Sequence, residues 1–524
     1  MEDVAGTLWP DEAITAIHHA SLELLERAGV RVESAAAEAR LVAAGCRPGP
    51  GGRLLIPRQV VDDAVAALAP ACVLAARDRD RSLPVDAAPG ATYVHNMGGA
   101  ADVSDAATGL TRRATLADQG DFTRVMHRLH NQHTVCSLLQ PQDVPPELEP
   151  LYSYLVVAFE TDKYVGGPGV SLPFQARYLH DMAIALTGAT GGDGRYPLDL
   201  AFSPVSPLLL GAEVTDALID TVARGGVVVE ILPCPAAATT APAAISAAVA
   251  QQNAEVLAGL VVVQNVAPGT PTYYGPRLSA VDPRTGMFTS GTPETGVSSI
   301  AAVLLARRYG MACDCYGPTT DSRLADAQLG GEHALNALLG MLARPRFLSG
   351  VGDVQAGASS SLEALVIDDD ILGDVFYALT PRPWDPEALD VAAMVEGVLG
   401  GKGFLATRHT RRFIRSEFVT PRLRARGGAR RGGAEADAGG AVAVGGGERS
   451  AAERGAAGRG AAEPGGLVAL ARERVVELLA CEPVGLPADT MSTMCDLVDA
   501  CAREAGLPEW PDPRRLLEAR ASGA

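Results

Sequence analysis

The stretch GVVVEILPCPAAATTAPAAISAAVAQQNAEVLAGLVVVQNVAPGTPTYYG, from Gly226 to Gly275, contains the pattern that decides the fold. It starts with a short apolar run, Val227–Ile231, which predicts a buried strand. Ala244–Leu260 has the length and apolar content of a helix, and Thr272–Gly275 predicts a second strand. A strand, a helix and a strand in this order form the unit from which parallel sheets are built.

The same alternation continues on both sides of this stretch. Further helices are predicted at Glu294–Tyr309, Gly331–Leu342 and Glu387–Leu399. Eight strands alternating with helices predict a TIM-like (β/α)8 barrel rather than an open sheet. The six remaining predicted strands are Thr134–Leu139, Tyr164–Val170, Leu198–Ser203, Met311–Tyr316, Arg346–Gly350 and Gly403–Ala406.

The chain divides into four predicted segments. Residues 1–125 form an N-terminal subdomain of helices and a small sheet, which includes an amphipathic helix at Asp11–Ala28. Residues 126–426 form the barrel. Residues 427–466 are dominated by Gly and Ala without apolar periodicity, so they predict a disordered insertion. Residues 467–524 predict a C-terminal helical segment.

Charge and composition narrow the class of function. Asp and Glu outnumber Lys and Arg by 62 to 44, and a formal charge of −18 argues against a nucleic-acid partner. The longest apolar run, Ala254–Val266, is interrupted by polar residues, so no membrane span is expected. Nine scattered cysteines in a chain of 524 residues predict reduced thiols and a cytoplasmic protein.

Several blocks of the sequence resemble the trimethylamine methyltransferase family, whose members include enzymes that demethylate quaternary amines such as glycine betaine. The resemblance covers nearly the whole chain except the Gly/Ala segment, in the order of the family's own blocks. The blocks are IHHASLELLERAGV from Ile17, TAPAAISAAVAQQNAEVLAGLVVVQNVAPGTPTYYG from Thr240, RTGMFTSGTPE from Arg284, TDSRLADAQ from Thr320, LEALVIDDDILG from Leu362, HTRRFIRSEF from His409 and ARERVVELLACEP from Ala471.

The resemblance implies a TIM-like barrel that transfers a methyl group from an amine to a corrinoid carried on a separate small protein, with no metal bound by this chain. A quaternary amine leaves as a neutral molecule, whereas a tertiary amine must first be activated. Family members that act on trimethylamine use pyrrolysine for that activation, and the corresponding neighbourhood here, Cys313 to Thr320, has ordinary residues only. A betaine-like substrate is therefore favoured, and a tertiary amine activated by an ordinary residue is the alternative.

A site for a quaternary ammonium calls for aromatic faces and nearby carboxylates. Tyrosines at barrel strands also serve as wall packing, and carboxylates near helix starts also complement the helix dipole or cap the helix. No catalytic residue is assigned. The candidates for substrate binding are Tyr93, Tyr274, Tyr316, His95, Glu294, Asp321 and Asp353.

Two further readings stay open. Betaine-demethylating members of the family have a histidine near the strand that corresponds to RFLSGVGD, where Ser349 is the nearest equivalent. This difference leaves open a barrel that binds quaternary amines without transferring a methyl group. An unrelated hydrolase or lyase would need a metal or a nucleophile–base pair, and His127, His130 and His133 have no partner residue at a useful spacing. A homo-oligomer is also open, since exposed barrel helices can pair.

Overall fold

The computed structural model describes residues 2–382, 385–400, 403–419, 421–423 and 466–522. Eight short strands in these ranges surround a common axis, and every pairing between them is parallel. They are β1 Tyr93–Asn96, β2 Thr134–Val135, β3 Tyr164–Val165, β4 Leu198–Phe202, β5 Val227–Ile231, β6 Thr272–Tyr274, β7 Ala312–Tyr316 and β8 Phe347–Val351. The chain is therefore a TIM-like barrel.

Backbone hydrogen bonds close the ring. Strands β4 to β8 and then β1 form one six-stranded sheet, and β2 pairs with β3. His133 N donates to Val94 O at 2.9 Å, which joins β1 to the start of β2. Gly167 N donates to Asp199 O at 3.1 Å, which joins the end of β3 to β4. No open sheet edge is left between these strands, so the barrel avoids the exposed backbone groups of an edge strand.

The predicted strand at Gly403–Ala406 is wrong. This segment is a turn between two helices, and Leu405 is 68% exposed. The eighth strand of the ring is β1, which lies in the segment predicted as an N-terminal subdomain. Four residues with alternating burial gave β1 too weak a signal, although Phe347 of β8 pairs with Tyr93. The other seven predicted strands are confirmed, most of them shorter than expected.

Eight helices follow the eight strands and cover the outside of the barrel. They are α1 Leu116–Arg128, α2 Glu149–Glu160, α3 Pro173–Thr187, α4 Ala212–Arg224, α5 Ile245–Val266, α6 Pro293–Arg308, α7 Ala327–Leu342 and α8 Leu362–Leu379. By length and composition α5 is apolar enough to cross a membrane, but 83% of its most apolar window is buried inside the protein. It packs against the N-terminal helix Asp11–Arg27 and the neighbouring barrel helices.

The amino end of the barrel is closed by a hairpin of two antiparallel strands, Ala71–Leu74 and Leu83–Asp86. Cys72 and Leu74 from this hairpin pack inside the ring against Val228, Tyr273 and Phe347. This inner core is separate from the larger apolar layer between the strands and the helices. Among the described residues, the barrel interior is therefore closed at its amino end and opens at the carboxyl ends of its strands.

The remaining helices and strands lie outside the ring of eight strands and eight helices. The further helices are Glu2–Leu8, Ala35–Ala43, Arg58–Ala66, Val391–Leu399, Arg408–Glu417, Gly466–Leu479, Ala488–Glu504 and Pro513–Ser522, with short 3-10 turns at Pro50–Gly52, Arg79–Arg81 and Pro386–Leu389. The further strands are Arg31–Val32, Arg47–Pro48, Leu54–Leu55, Asp102–Ser104, Thr111–Arg113, Arg195–Tyr196, Leu209–Leu210, Ala280–Val281, Phe288–Thr289, Asp353–Val354 and Ser359–Ser360. The predicted disordered insertion lies outside the described residues, except for Gly466.

A fully buried ion pair joins the last two barrel helices. Nδ1 of His333 on α7 lies 2.5 Å from Oδ1 of Asp368 on α8, and both side chains have no exposed surface. Asp368 Oδ2 also accepts a hydrogen bond from Gly352 N at 2.8 Å, just after β8. Burial alone would lower the pKa of His333, but the neighbouring Asp368 raises it. The pair therefore fixes α7, α8 and the end of β8 together.

We expect Asp368→Asn to lower the free energy of unfolding by about 3 kcal/mol, because it leaves His333 buried without its charge partner. Chemical denaturation followed by circular dichroism measures the change. Glu23→Gln makes the same carboxylate-to-amide change in the exposed Glu23–Arg27 pair and should alter stability by less than about 0.5 kcal/mol. Equal effects of the two substitutions would contradict a stabilising role for the buried pair.

Candidate active site

A cavity of about 330 Å³ opens at the carboxyl ends of the strands, the face on which barrels of this type carry their active sites. Because side chains alternate along a strand, only every second residue faces this space. Four aromatic rings line it, from Tyr164, Tyr273, Tyr316 and Phe347. Leu74 of the closing hairpin also reaches it, so the floor and much of the wall are apolar.

Three carboxyl groups project into the cavity from the strands themselves. Asp199 lies on β4, Glu230 on β5 and Asp314 on β7. Each interrupts an otherwise apolar strand, in LDLAF, VVVEI and ACDCY respectively. An ionised group in such a place is costly unless it is paired or hydrogen-bonded, so the partners of each one decide its charge.

Asp314 is held in its ionised form by two cationic neighbours. Arg277 Nη2 donates to Asp314 Oδ2 at 2.7 Å, and His95 Nε2 lies 2.9 Å from the same oxygen. Burial works to raise the pKa of Asp314, but Arg277 and His95 outweigh it and hold that pKa well below its usual range. Arg277 also lies over the ring of Tyr316, 5.1 Å from its centroid.

His95 carries a positive charge in this arrangement. Its Nδ1 lies 2.8 Å from the backbone oxygen of Asn96, and its Nε2 contacts Asp314. Both partners are acceptors, so both ring nitrogens must carry a proton. Although burial alone would lower the pKa of His95, Asp314 raises it well above its ordinary value.

The surroundings of Glu230 favour its neutral form. Burial, together with the nearby charge of Asp314, raises the pKa of Glu230 well above its ordinary value. Arg277 Nη2 approaches Glu230 Oε1 at 3.2 Å, so the same guanidinium nitrogen contacts both carboxyl groups.

Asp199 differs from the other two carboxyl groups because it forms no salt bridge with any residue that the structure describes. Its Oδ1 accepts hydrogen bonds from the Tyr164 hydroxyl at 2.7 Å and from Gly167 N at 3.2 Å. Desolvation nevertheless raises the pKa of Asp199. The cavity thus contains a carboxyl group that a bound cation would stabilise as a carboxylate, and Glu149 on α2, whose pKa burial also raises, is another in its lining.

Two of the seven predicted site residues, His95 and Tyr316, line the cavity. Tyr274 does not, because it is the neighbour of the inward-facing Tyr273 and points to the opposite face of β6. Its hydroxyl donates to Asn253 Oδ1 on α5 at 3.1 Å. Tyr93 lies at the amino end of β1, where its ring packs against Phe347.

The three predicted carboxylates also lie outside the cavity. Glu294 is exposed in the first turn of α6, where it complements the helix dipole. Asp321 accepts backbone hydrogen bonds from Ser290 at 2.8 Å and Gly291 at 3.2 Å. Asp353 is buried and accepts from Thr320 N at 2.9 Å, and burial raises its pKa to about 7. Asp321 and Asp353 therefore shape the loops beside the cavity.

Most of the cavity residues that sequence reasoning missed lie in the strand interiors. The signal was present, since a carboxylate inside an apolar strand is rare unless it faces a site. The missed cavity residues include Tyr164, Asp199, Glu230, Tyr273, Asp314 and Phe347 on the strands, Glu149 on α2 and Arg277 in the loop after β6.

The rim of the cavity is largely bare backbone, formed in part by Gly98, Gly99, Gly167 and Gly169. A Cβ added at Gly169 would meet no atom within 4 Å, so this part of the rim faces open space. A flat co-substrate can approach such a rim closely. In the described ranges, no three His, Cys, Asp or Glu side chains are grouped so that they could hold a metal ion.

We expect Asp199→Asn to raise the free energy of unfolding by about 1 kcal/mol at neutral pH. The pKa of Asp199 is higher in the folded chain than in the unfolded chain, so ionisation above the ordinary Asp range favours unfolding. The asparagine oxygen can still accept from Tyr164 and Gly167. Denaturation at several pH values tests this: the gain should disappear when the pH falls below the ordinary pKa of an aspartate, and a gain independent of pH would contradict it.

Comparison with known proteins identifies the family of the chain. A family model described as trimethylamine methyltransferase (MTTB) matches residues 4–431. The chain is 28% identical to the glycine betaine methyltransferase of Desulfitobacterium hafniense (strain Y51) over 420 residues, which are 79% of this chain and 85% of that relative. It is 27% identical to the trimethylamine methyltransferase MttB of Methanosarcina thermophila over 423 residues, 79% of this chain and 86% of that one.

Among solved structures, the chain is similar to the monomethylamine methyltransferase MtmB of Methanosarcina barkeri, with a TM-score of 0.46 and 13% identity. That similarity covers 77% of this chain and 85% of the other. The match of the family model over most of the sequence identifies the chain: it belongs to the trimethylamine methyltransferase family.

Proposed function

We propose that this protein transfers a methyl group from a quaternary amine of the betaine type to the cobalt(I) of a corrinoid that a separate small protein carries. Membership of the family and the similarity to a glycine betaine methyltransferase support the reaction class. The observation that carries the choice of substrate is Asp199, a carboxyl group without a salt bridge in a cavity lined by aromatic rings.

A quaternary ammonium has no N–H group, so only charge and aromatic faces can recognise it. The rings of Tyr164, Tyr273 and Phe347 surround the space beside Asp199 and supply those faces. A bound cation would in turn stabilise the ionised form of Asp199, which burial disfavours. Substrate binding and ionisation of Asp199 therefore support each other.

The other charged groups of the cavity offset one another. Arg277 and His95 are both held on Asp314, so neither repels a cation strongly. These contacts also fix the side chains, and a fixed polar environment orients the substrate without reorganising during the reaction. When bound, the cobalt(I) corrinoid supplies the nucleophile, and the bare glycine rim of the cavity suits its approach.

The proposed function also includes a cellular compartment. All nine cysteines are free thiols, as is usual in a reducing compartment, and we place the protein in the cytoplasm on that ground. The partner that carries the corrinoid would dock at the carboxyl ends of the strands, where the cavity opens.

A tertiary amine is the second candidate substrate, and Glu230 is the observation in its favour. A tertiary amine departs readily only after it gains a proton, and burial together with Asp314 raises the pKa of Glu230 well above its ordinary value, which favours a protonated carboxyl group in the cavity. Glu230 could provide that proton without pyrrolysine. The proposal of a quaternary amine and this alternative differ in which class of amine reacts.

We expect the purified protein, mixed with reduced cob(I)alamin and a panel of betaines, to form methylcobalamin, which absorbance measures directly. Trimethylamine in the same panel tests the alternative substrate class. Reaction of trimethylamine alone would replace the betaine assignment. A panel in which no compound methylates cobalamin, although calorimetry shows a betaine binding, would identify a protein that binds quaternary amines without methyl transfer.

We expect Tyr316→Ala to raise the dissociation constant of the reacting amine about tenfold, because the substitution removes an aromatic face from the cavity and frees Arg277 to move. Isothermal titration calorimetry measures the change. Tyr274→Phe is the matched control, since Tyr274 lies on the opposite face of its strand and its hydroxyl binds Asn253. An unchanged constant in Tyr316→Ala would remove Tyr316 from the binding site.

A further inference from the structure

After α8 the chain forms an arm, which consists of the described residues between 385 and 419. The arm is a hairpin of two helices, Val391–Leu399 and Arg408–Glu417. Its two halves touch where the ring of Phe404 lies against Gly397, since a Cβ added at Gly397 would be 2.4 Å from that ring. The far end of the arm returns to α8, where the Tyr377 hydroxyl donates to Glu417 O.

The first helix of the arm exposes the face that an amphipathic helix normally buries. Its apolar residues recur at i, i+3, i+4, i+7 and i+8, the spacing of a stripe that packs against a core. Here the stripe is between 38% and 81% exposed, and it consists of Val391, Met394, Val395, Val398 and Leu399. Gly397 is the one buried residue in the first helix, and the second helix has none.

Exposed apolar side chains continue along the rest of the arm. Five more are between 40% and 68% exposed: Leu389, Phe404, Leu405, Ile414 and Phe418. Together with the stripe they leave on the order of 1,000 Å² of apolar surface, whereas the largest patch on a typical monomer is roughly 300–600 Å². A helical hairpin without a core of its own gains little from burial to offset the entropy of ordering it. Such an arm needs a partner surface.

The charge of the arm indicates what that partner is. The chain as a whole carries −18, and this charge opposes contact between copies, but the five acidic and five basic residues between 385 and 419 give the arm no net charge. The two signs are separated along the arm. Among the described residues, one ion pair, Arg412–Glu387, joins the two halves. The acidic residues of the first half are Asp385, Glu387, Asp390 and Glu396, and the arginines of the second half are Arg408, Arg411, Arg412 and Arg415.

Two other occupants fit the arm less well than a second copy does. Residues 424–465 contain no Leu, Ile, Met or aromatic residue, so they lack the side chains that would cover such a face. A corrinoid protein docked at the mouth of the cavity would be at the opposite end of the barrel. The carboxyl end of α8, from which the arm starts, lies beside Gly90 and Thr92, just before β1.

We propose that a second copy of this chain covers the arm, so that two chains form a dimer through their arms. In a two-fold arrangement the first helix of each arm packs against the second helix of the other, which buries both apolar stripes and places acidic residues against arginines. The apolar area of one arm reaches the roughly 800 Å² that each partner of a stable complex buries. Because the arms start at the amino ends of the barrels, both cavities stay open. This inference is independent of the proposed function.

Sedimentation velocity tests the dimer on the full chain. We expect a species of twice the chain mass of 54.1 kDa at about 10 µM. Val398→Asp puts a charge into the stripe of both copies, so it should raise the dissociation constant of the dimer at least about 100-fold. Val398 is 70% exposed, and we expect the variant to keep the melting temperature of the isolated fold.

Val476→Asp is the matched control, because Val476 is 64% exposed on the helix Gly466–Leu479, outside the arm. It should leave the dimer unchanged. A native chain that sediments as a monomer would overturn the proposal. So would a dimer that Val398→Asp leaves intact, since its interface would lie elsewhere, or one that Val476→Asp weakens equally.

Charge reversal tests the pairing of the first helix of one arm with the second helix of the other. Arg411→Glu with Arg415→Glu makes both helices acidic, and Glu387→Arg with Glu396→Arg makes both basic. Each double variant alone should dissociate, because like charges then meet across the interface. An equimolar mixture of the two should form the dimer again, since every contact then joins opposite charges. A mixture that remains monomeric would overturn the proposed pairing.

Discussion

Asp314 remains ionised inside the barrel because Arg277 and His95 both bind it, and these two contacts set the charge of the groups around it. Its negative charge adds to burial in raising the pKa of Glu230 and outweighs burial in raising the pKa of His95. It also neutralises the positive charge of Arg277. Among the carboxyl groups on the strands, Asp199 on β4 is left without a salt bridge to any described residue and is available to a cation.

Burying charged groups in this cavity lowers the stability of the fold, and contacts elsewhere must offset that loss. Buried charged pairs are weak contributors to stability even when they are well arranged. Around them the barrel has a large apolar layer between strands and helices, together with polar contacts that do not face the cavity. Asn253 on α5, for example, donates to Ser21 at 2.9 Å and Tyr309 at 2.9 Å, which ties the N-terminal helix to the barrel. The outward faces of the strands thus contribute to the stability of the fold, and the inward faces of the same strands form the cavity.

The sequence predicts the architecture better than the site, and the strands explain why. Seven strands have enough consecutive apolar residues to stand out, but β1 is a half-buried run of four residues, and only its pairing with β8 makes it a strand. The direction in which each strand side chain faces is harder to predict than the strands themselves. In Tyr273-Tyr274 one ring must point inward and one outward, and the pair alone does not say which. The partners of Asp314 come from β1 and from the loop after β6. Only the closed ring brings these two segments together.

The hairpin that fills the amino end of the barrel has a kinetic consequence. With Cys72 and Leu74 packed inside the ring, the described residues close the cavity at its amino end, and under the proposed function donor and acceptor would share the opening at the carboxyl ends of the strands. A small donor that arrives after a protein-sized acceptor has docked would find its route covered, and a demethylated product would be retained until that acceptor departs. Compulsory order of addition and release would then follow from the architecture itself, with the small molecule first in and last out.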